Sequence, residues 1–333
     1  MSDHYRFSLE FYPKGQSTGL SVPLNKPDFH PAVEFAQLEA LRMKGQLPTR
    51  GSAVFRPLYS NSGPGVNGFT IDVPTPADAF QAELPLEYFE DIARAYRTAL
   101  ISAGKLNADE ECNWAMSAWP ADDGVDCRTR SVAFNPELVT SSIEEFRGRS
   151  ELAGDNGPSE SLKVFVARDI LAETGNMAQA ASPLECGGVL LGNLHRDSES
   201  SELFLVITAQ IPALKAVGSE TELRFTPEAW EAVRAAVSLR KRNEIWCGWW
   251  HSHTPAAWAD TCGKCPIERQ RHCPYATKLF SGFDRTLHRT VFARAFAIGL
   301  VANVLTGNEV VYSCFGWCQG RICARDYFVV EDQ

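Results

Sequence analysis

The chain has 333 residues, 44% hydrophobic and 22% charged, enough for two domains of ordinary size with their own cores and unlike a disordered or fibrous sequence. A formal charge of −9 argues against a broad basic surface, so neither nucleic acid nor anionic lipid is expected as a partner. The opening residues lack the basic start and apolar run of a signal peptide. The stretch from Phe292 to Leu305 is broken by Arg294 and Asn303 and is shorter than the roughly 20 residues of a membrane span. A cytoplasmic location without membrane contact is therefore expected, with most of the ten cysteines reduced or holding metal.

From the N-terminus, Tyr5, Phe7, Leu9 and Phe11 alternate with polar residues, the period of a half-buried strand. Apolar residues at helical spacing predict helices over 31–42 and 84–103, the second with Leu86, Phe89, Ala93, Tyr96 and Leu100 on one face. Short strands are expected near 53–59, 69–73 and 114–119. Residues 1–146 thus read as an α+β domain, in which Cys112, Cys127, His4 and His30 lack partners at ligand spacing and count as structural. The polar, Gly- and Ser-rich residues 147–160 mark a linker.

Beyond it, the pattern predicts a strand over 163–167, a helix over 168–181, a buried strand over 185–191 and another over 203–209. Thr226-Pro227, a hydroxyl cap and a first-turn proline, opens a helix over 227–241. Residues 245–253 form an aromatic-rich strand, a helix starts near Ser281, and strands follow near 297–304 and 309–316.

The chemistry-bearing residues lie in this second half. His251 and His253 are two apart on a strand, so both imidazoles face one side, a spacing suited to one zinc ion. Ser281 and Asp284 are three apart at a helix start and share a face. Taken by itself that pair reads first as a helix-capping box, with a shared face toward a metal as the other reading. Glu185 precedes Cys186-Gly187-Gly188, where the missing side chains admit a close backbone neighbour. A carboxylate there can serve as a general base.

Together these residues resemble the JAMM (JAB/MPN) zinc metalloproteases, whose motif is an upstream Glu, His-x-His, seven residues, then Ser-x-x-Asp. The flanks resemble the family too: ECGGVLLG around Glu185, GWWHSHTP around the histidines, RFTPEAWEAVRAAV before them, and AIGLVANV with FGWCQGRI after them. The resemblance spans roughly 161–333. It implies a curved mixed β-sheet flanked by helices, an α/β layout like that of cytidine deaminases. It also implies that His251, His253 and Asp284 bind a catalytic zinc, that Glu185 handles the proton of the attacking water, and that Ser281 donates to the oxyanion. The implied substrate is the C-terminal tail of a ubiquitin-like protein or its conjugate, with the N-terminal domain recognising modifier or target. Two alternatives stand beside it, a non-catalytic scaffold and a hydrolase of small adducts on sulfur-carrier proteins. A true zinc deaminase is rejected, because position 253 is not Glu and no proline directly precedes Cys262.

The chain departs from the family in two places. Thr254 stands where the family has proline, and the 27 residues of 254–280 separate His253 from Ser281. That insertion contains Cys262-Gly-Lys-Cys265 and His272-Cys273, the makings of a second, structural zinc site in which Cys314, Cys318 or Cys323 could replace a ligand. A reduced cysteine-rich loop is the competing reading.

Overall fold

The structure is a computed structural model that describes residues 4–46, 48–49, 51–60, 65–121, 127–128, 136–154, 161–258, 260 and 262–331. Cys127, counted above as structural, belongs to a segment whose side chains lie outside that description. The chain divides into two compact units, residues 1–135 with 319–321 and residues 136–318 with 322–333. No described helix is long and apolar enough to cross a membrane.

The first unit contains β1 (Tyr5–Pro13), β2 (Leu20–Pro23), α1 (Lys26–Lys44), β3 (Ser52–Tyr59), β4 (Val66–Pro74), β5 (Ala79–Pro85), α2 (Glu90–Ser102), β6 (Cys112–Pro120) and β7 (Cys127–Arg128). Strand β1 lies between β2 and β6, and a four-stranded sheet runs β5-β4-β3-β7. The alternation in β1 buries Phe7, Leu9 and Phe11, and these pack with Phe29 of α1, Phe69 of β4 and Phe89 in one aromatic core. The helix expected over 84–103 begins as a single 3-10 turn, Leu86–Phe89, and becomes α-helical from Glu90.

The second unit comprises β8 (Leu138–Ser141), α3 (Ile143–Gly148), β9 (Ser150–Ala153), β10 (Lys163–Ala167), α4 (Arg168–Ala181), β11 (Gly187–Asp197), β12 (Leu203–Pro212), β13 (Val217–Gly218), β14 (Leu223–Arg224), α5 (Pro227–Arg240), β15 (Ile245–His253), α6 (Ile267–His272), α7 (Pro274–Thr277), α8 (Gly282–Val291), β16 (Ile298–Val304), β17 (Val310–Cys318), β18 (Arg321–Arg325) and β19 (Tyr327–Val330). Its sheet is mixed and strongly curled, in the order β18-β17-β16-β15-β11-β12-β10-β19-β9, with β8 added parallel to the far half of β11. Strands β11 and β15 are antiparallel, whereas β15 and β16 run parallel.

The expected linker is corrected here. Residues 150–153 form β9, hydrogen-bonded to β19, and residues 136–146 belong to the second unit. Ser141 Oγ meets His195 Nδ1 at 2.7 Å, and the Ile143 amide donates to Asp197 Oδ1 at 2.9 Å. The composition misleads because β9 is a short strand at the end of the sheet that buries none of its side chains fully, so its backbone pairing leaves no apolar signature. Residues 155–160 lie outside the described residues.

Two faces of the sheet are covered. Val189, Leu191, Trp249 and Val301 pack with Ala229 and Val233 of α5 and with Leu287 of α8. Ala302 and Val304 meet Ala178 of α4 on the other side. A bulge sets which residues of β15 face which way. Leu190 pairs Gly248 while Leu191 pairs Trp246, so Cys247 is an extra residue on that strand. Gly248 has φ +146°, and a Cβ there would sit 1.9 Å from the Ile298 carbonyl oxygen. After this kink the alternation puts Trp249, His251 and His253 on the α8 face and Ser252 on the α4 face.

Gly248→Ala should therefore lower the thermal unfolding midpoint by several degrees, since a side chain at strained backbone costs about 1–3 kcal/mol before any clash with Ile298 is counted. An unchanged midpoint would mean that the bulge relaxes freely.

Candidate metal centre

His251 and His253 project side by side from the end of β15, both buried, and Asp284 reaches them from the first turn of α8. The two Nε2 atoms lie 3.0 Å apart. Asp284 Oδ1 is 3.3 Å from His251 Nε2, and Oδ2 is 3.5 Å from His253 Nε2. Among the described residues this is the group of three His, Cys, Asp or Glu side chains whose ligand atoms all lie within 4.8 Å of one another. Tetrahedral zinc with bonds of about 2.0–2.1 Å requires ligand spacings of about 3.3–3.4 Å. The triangle fits zinc in size, and the donor set fits it in chemistry.

The local sequence explains why these atoms converge. Ser281 is the N-cap of α8: its Oγ accepts from the Asp284 amide at 3.1 Å, and its own amide donates to Asp284 Oδ2 at 2.7 Å. Capping and metal holding, set out above as rival readings of Ser-x-x-Asp, are compatible here, because the cap aims the carboxylate at the histidines. It also leaves the Ser281 hydroxyl proton free to donate elsewhere.

Behind His251, the Trp249 indole stacks on the imidazole with ring centroids 4.3 Å apart and planes 9° from parallel. Its Nε1–H donates to Nδ1 of His288, one turn after Asp284, at 3.2 Å. Burial, aided by the charge of Arg289, pushes the His288 ring down to about 3, so it stays neutral and can accept at that nitrogen.

Glu185 stands at the mouth of β11, 5% exposed. Burial pushes its carboxyl up to about 7; His251 opposes this, while Asp284 and Glu222 add to it. A cation in the cluster would pull that value down again. Burial disfavours the charged form of Asp284 too, yet the charge and hydrogen bonds of His251 and His253 outweigh it and hold this carboxyl well below the usual range.

The backbone at Glu185 is held from two directions. Its amide donates to Ser219 O at 2.8 Å, and the next amide, Cys186 N, donates to Ser252 Oγ at 2.9 Å. Ser252, between the two histidines but on the opposite face, therefore ties the segment carrying Glu185 to the strand carrying both histidines. Gly187 permits the approach, since a Cβ there would lie 2.4 Å from Trp250 O. Thr254 is a buried cross-tie, its hydroxyl donating to Pro183 O at 3.0 Å, with Glu220 O at 3.4 Å. A cleft of about 170 Å³ borders Glu185, lined by Met177, Cys186, Pro212, Ala213, Leu214 and Leu223 among others.

The insertion is arranged differently from the expected second zinc site. Cys262, Cys265, His272 and Cys273 do not bring three ligand atoms within 4.8 Å of one another. Cys262 is buried with Ala276 and Leu305, Cys273 packs at the edge of that cluster, and His272 is exposed at the end of α6. The centre of the insertion is Gln270, fully buried. Its Nε2 donates to Cys262 O at 2.9 Å, Cys265 O at 2.7 Å and Thr306 Oγ1 at 2.6 Å, and its Oε1 accepts from Thr306 N at 3.0 Å. The turn expected of a Cys-x-x-Cys site is thus held by an amide.

Sequence reasoning missed Ser252, Gln270, His288 and Asn303. Two carried a legible signal: Ser252 lies inside the His-x-His motif, and Asn303 is the polar residue of an otherwise apolar strand. Gln270 offered none.

Residues 167–258 match the family model described as prokaryotic homologs of the JAB domain. That span holds Glu185, His251 and His253 and ends five residues into the insertion, short of Ser281 and Asp284. No curated protein matches the chain. The solution structure of a protein from Desulfitobacterium hafniense aligns at 18% identity with a TM-score of 0.34, covering 51% of this chain and 94% of that one, a likeness too distant to carry a function.

Thr254→Val keeps the side-chain shape and removes the hydroxyl. Pro183 is exposed, so its carbonyl can turn to water and only the net worth of the bond is lost, about 0.5–1.5 kcal/mol of stability. Denaturant unfolding would reveal it, and a midpoint equal to wild type would mean the cross-tie contributes nothing.

Proposed function

We propose that the chain is a zinc-dependent isopeptidase of the JAMM type, hydrolysing the bond at the C-terminus of a ubiquitin-like protein. The observation that carries this reading is the triangle of His251, His253 and Asp284, with a buried carboxyl of raised pKa, Glu185, close enough to feel their charges. Similarity to prokaryotic JAB homologues over 167–258 supports it.

Zinc held by these three side chains would polarise the scissile carbonyl and acidify the attacking water. The chain's own groups do the rest. Glu185 takes the proton from that water as its oxygen attacks the carbonyl carbon, then gives the proton to the amine as the C–N bond breaks. A carboxyl pushed toward neutrality by burial suits both halves of this exchange. Ser281, already accepting from the Asp284 amide, donates its hydroxyl proton to the carbonyl oxygen as charge develops there, on the order of 3 kcal/mol of transition-state stabilisation. The apolar cleft beside Glu185 would take residues of an extended tail, and the N-terminal unit would recognise the modifier or its target.

Metal analysis paired with cleavage of a panel of ubiquitin-like fusions tests the proposal. Purified protein should hold one zinc per chain, and Asp284→Ala should lose it; a wild type that stays metal-free under zinc-replete conditions ends the hydrolase reading.

Glu185→Gln should keep the wild-type zinc content while lowering kcat by at least about 10²–10⁴-fold, the range for loss of a general base. Turnover near wild type would remove the base assignment.

A further inference from the structure

Asn303 lies on β16, directly beside His253 in the parallel register with β15, and is completely buried. Its amide orientation is settled by its surroundings. Nδ2 lies 3.0 Å from Val311 O, 3.1 Å from Ser313 Oγ and 3.4 Å from Val301 O. The two carbonyls can only accept, so the nitrogen must occupy that side and Oδ1 must point away. Among the described residues, Oδ1 is then a buried acceptor without a hydrogen-bond partner. So is Nδ1 of the neighbouring His253, whose Nε2 is already committed to the His251–Asp284 cluster. Two unpartnered buried atoms of opposite character on adjacent residues form a pair in waiting, since leaving either unsatisfied costs about 1–3 kcal/mol.

We propose that Asn303 is a positioning residue of the metal centre: its Oδ1 accepts from His253 Nδ1–H, fixing the tautomer whose bare Nε2 faces the ligand triangle. Metal-bound histidines generally need such an outer partner, which orients the ring and raises its basicity. The two histidines are then not equivalent. His251 is held by stacking on Trp249 and has no partner at Nδ1 among the described residues, whereas His253 is held by a hydrogen bond. The inference rests on the reading of His253 as a ligand and needs no peptidase activity.

The test is zinc affinity, measured by competition with a chromophoric chelator, for wild type, Asn303→Leu and Ser313→Ala. Asn303→Leu should weaken zinc binding by about 10–100-fold, the usual effect of losing an outer-shell partner. Ser313→Ala removes one anchor of Nδ2 without touching Oδ1 and should stay within about threefold of wild type, since roughly 0.65 kcal/mol separates such values at about 1.4 kcal/mol per tenfold. Equal affinity for Asn303→Leu and wild type overturns the proposal alone, and so does an equal loss in both variants, which would mark a merely structural effect. A wild type that binds no zinc removes the metal reading and this proposal together. Should Asn303→Leu not fold, long-range ¹H–¹⁵N spectra of zinc-loaded wild type decide. His253 Nδ1–H should lie downfield of His251 Nδ1–H, and coincident shifts overturn the assignment.

Discussion

Two ring nitrogens 3.0 Å apart leave room for one hydrogen at most, and His251 and His253 meet in this way inside the protein with a carboxylate against both. Each group alone would be penalised for burial. Together they form a coupled set in which Asp284 stays ionised and favours positive charge on its neighbours. The two rings do not respond alike, His251 shifting upward and His253 downward, because burial opposes charge on both while Asp284 outweighs it only at His251 and the first charged ring repels a second. A divalent cation would satisfy all three ligands at once. The surrounding architecture then serves one purpose, holding these atoms close against their tendency to separate or charge differently: the bulge at Cys247, the stacked Trp249 and the capped start of α8.

Much of this was legible in the residues. The strand over 245–253 and the helix over 168–181 have the predicted limits, since nine- and fourteen-residue runs of clear period leave little freedom of phase. The His-x-His spacing places both rings on one face, as a strand requires. Other features depend on partners remote in sequence. Strand β8 is recognisable only once β11 lies beside it, and β9 only beside β19. Gln270 looks like any surface glutamine of a short charged helix until Cys262, Cys265 and Thr306 are brought around it. Strand β11 begins two residues later than its apolar pattern suggests, because the Glu185 and Cys186 amides are taken by Ser219 and Ser252 instead of by a ladder.

The two departures from the family motif also acquire physical meaning. Proline at position 254 would stiffen the turn after the histidines. Threonine restrains the same turn through its hydroxyl, which binds the segment leading into Glu185 and so couples that segment to the strand of His251 and His253. The long insertion carries two short helices, α6 and α7, and an interior of its own, with Cys262, Ala276 and Leu305 at its centre, and delivers the chain to Ser281 despite its length. The carboxylate that closes the triangle thus reaches both histidines although 27 residues separate His253 from Ser281.

Asp284 has two duties in one carboxylate. Oδ2 accepts the amide that starts α8 and also faces His253, so whatever draws the carboxylate toward the histidines draws on the same group that keeps the helix wound. Were a cation held there, its binding and the order of this end of α8 would be thermodynamically linked: the bound ion would tighten the first turn, and its removal would let that turn fray. Proteolytic susceptibility around Gly282, an exposed glycine with no packing neighbour at its Cβ position, would then report occupancy without any turnover being measured.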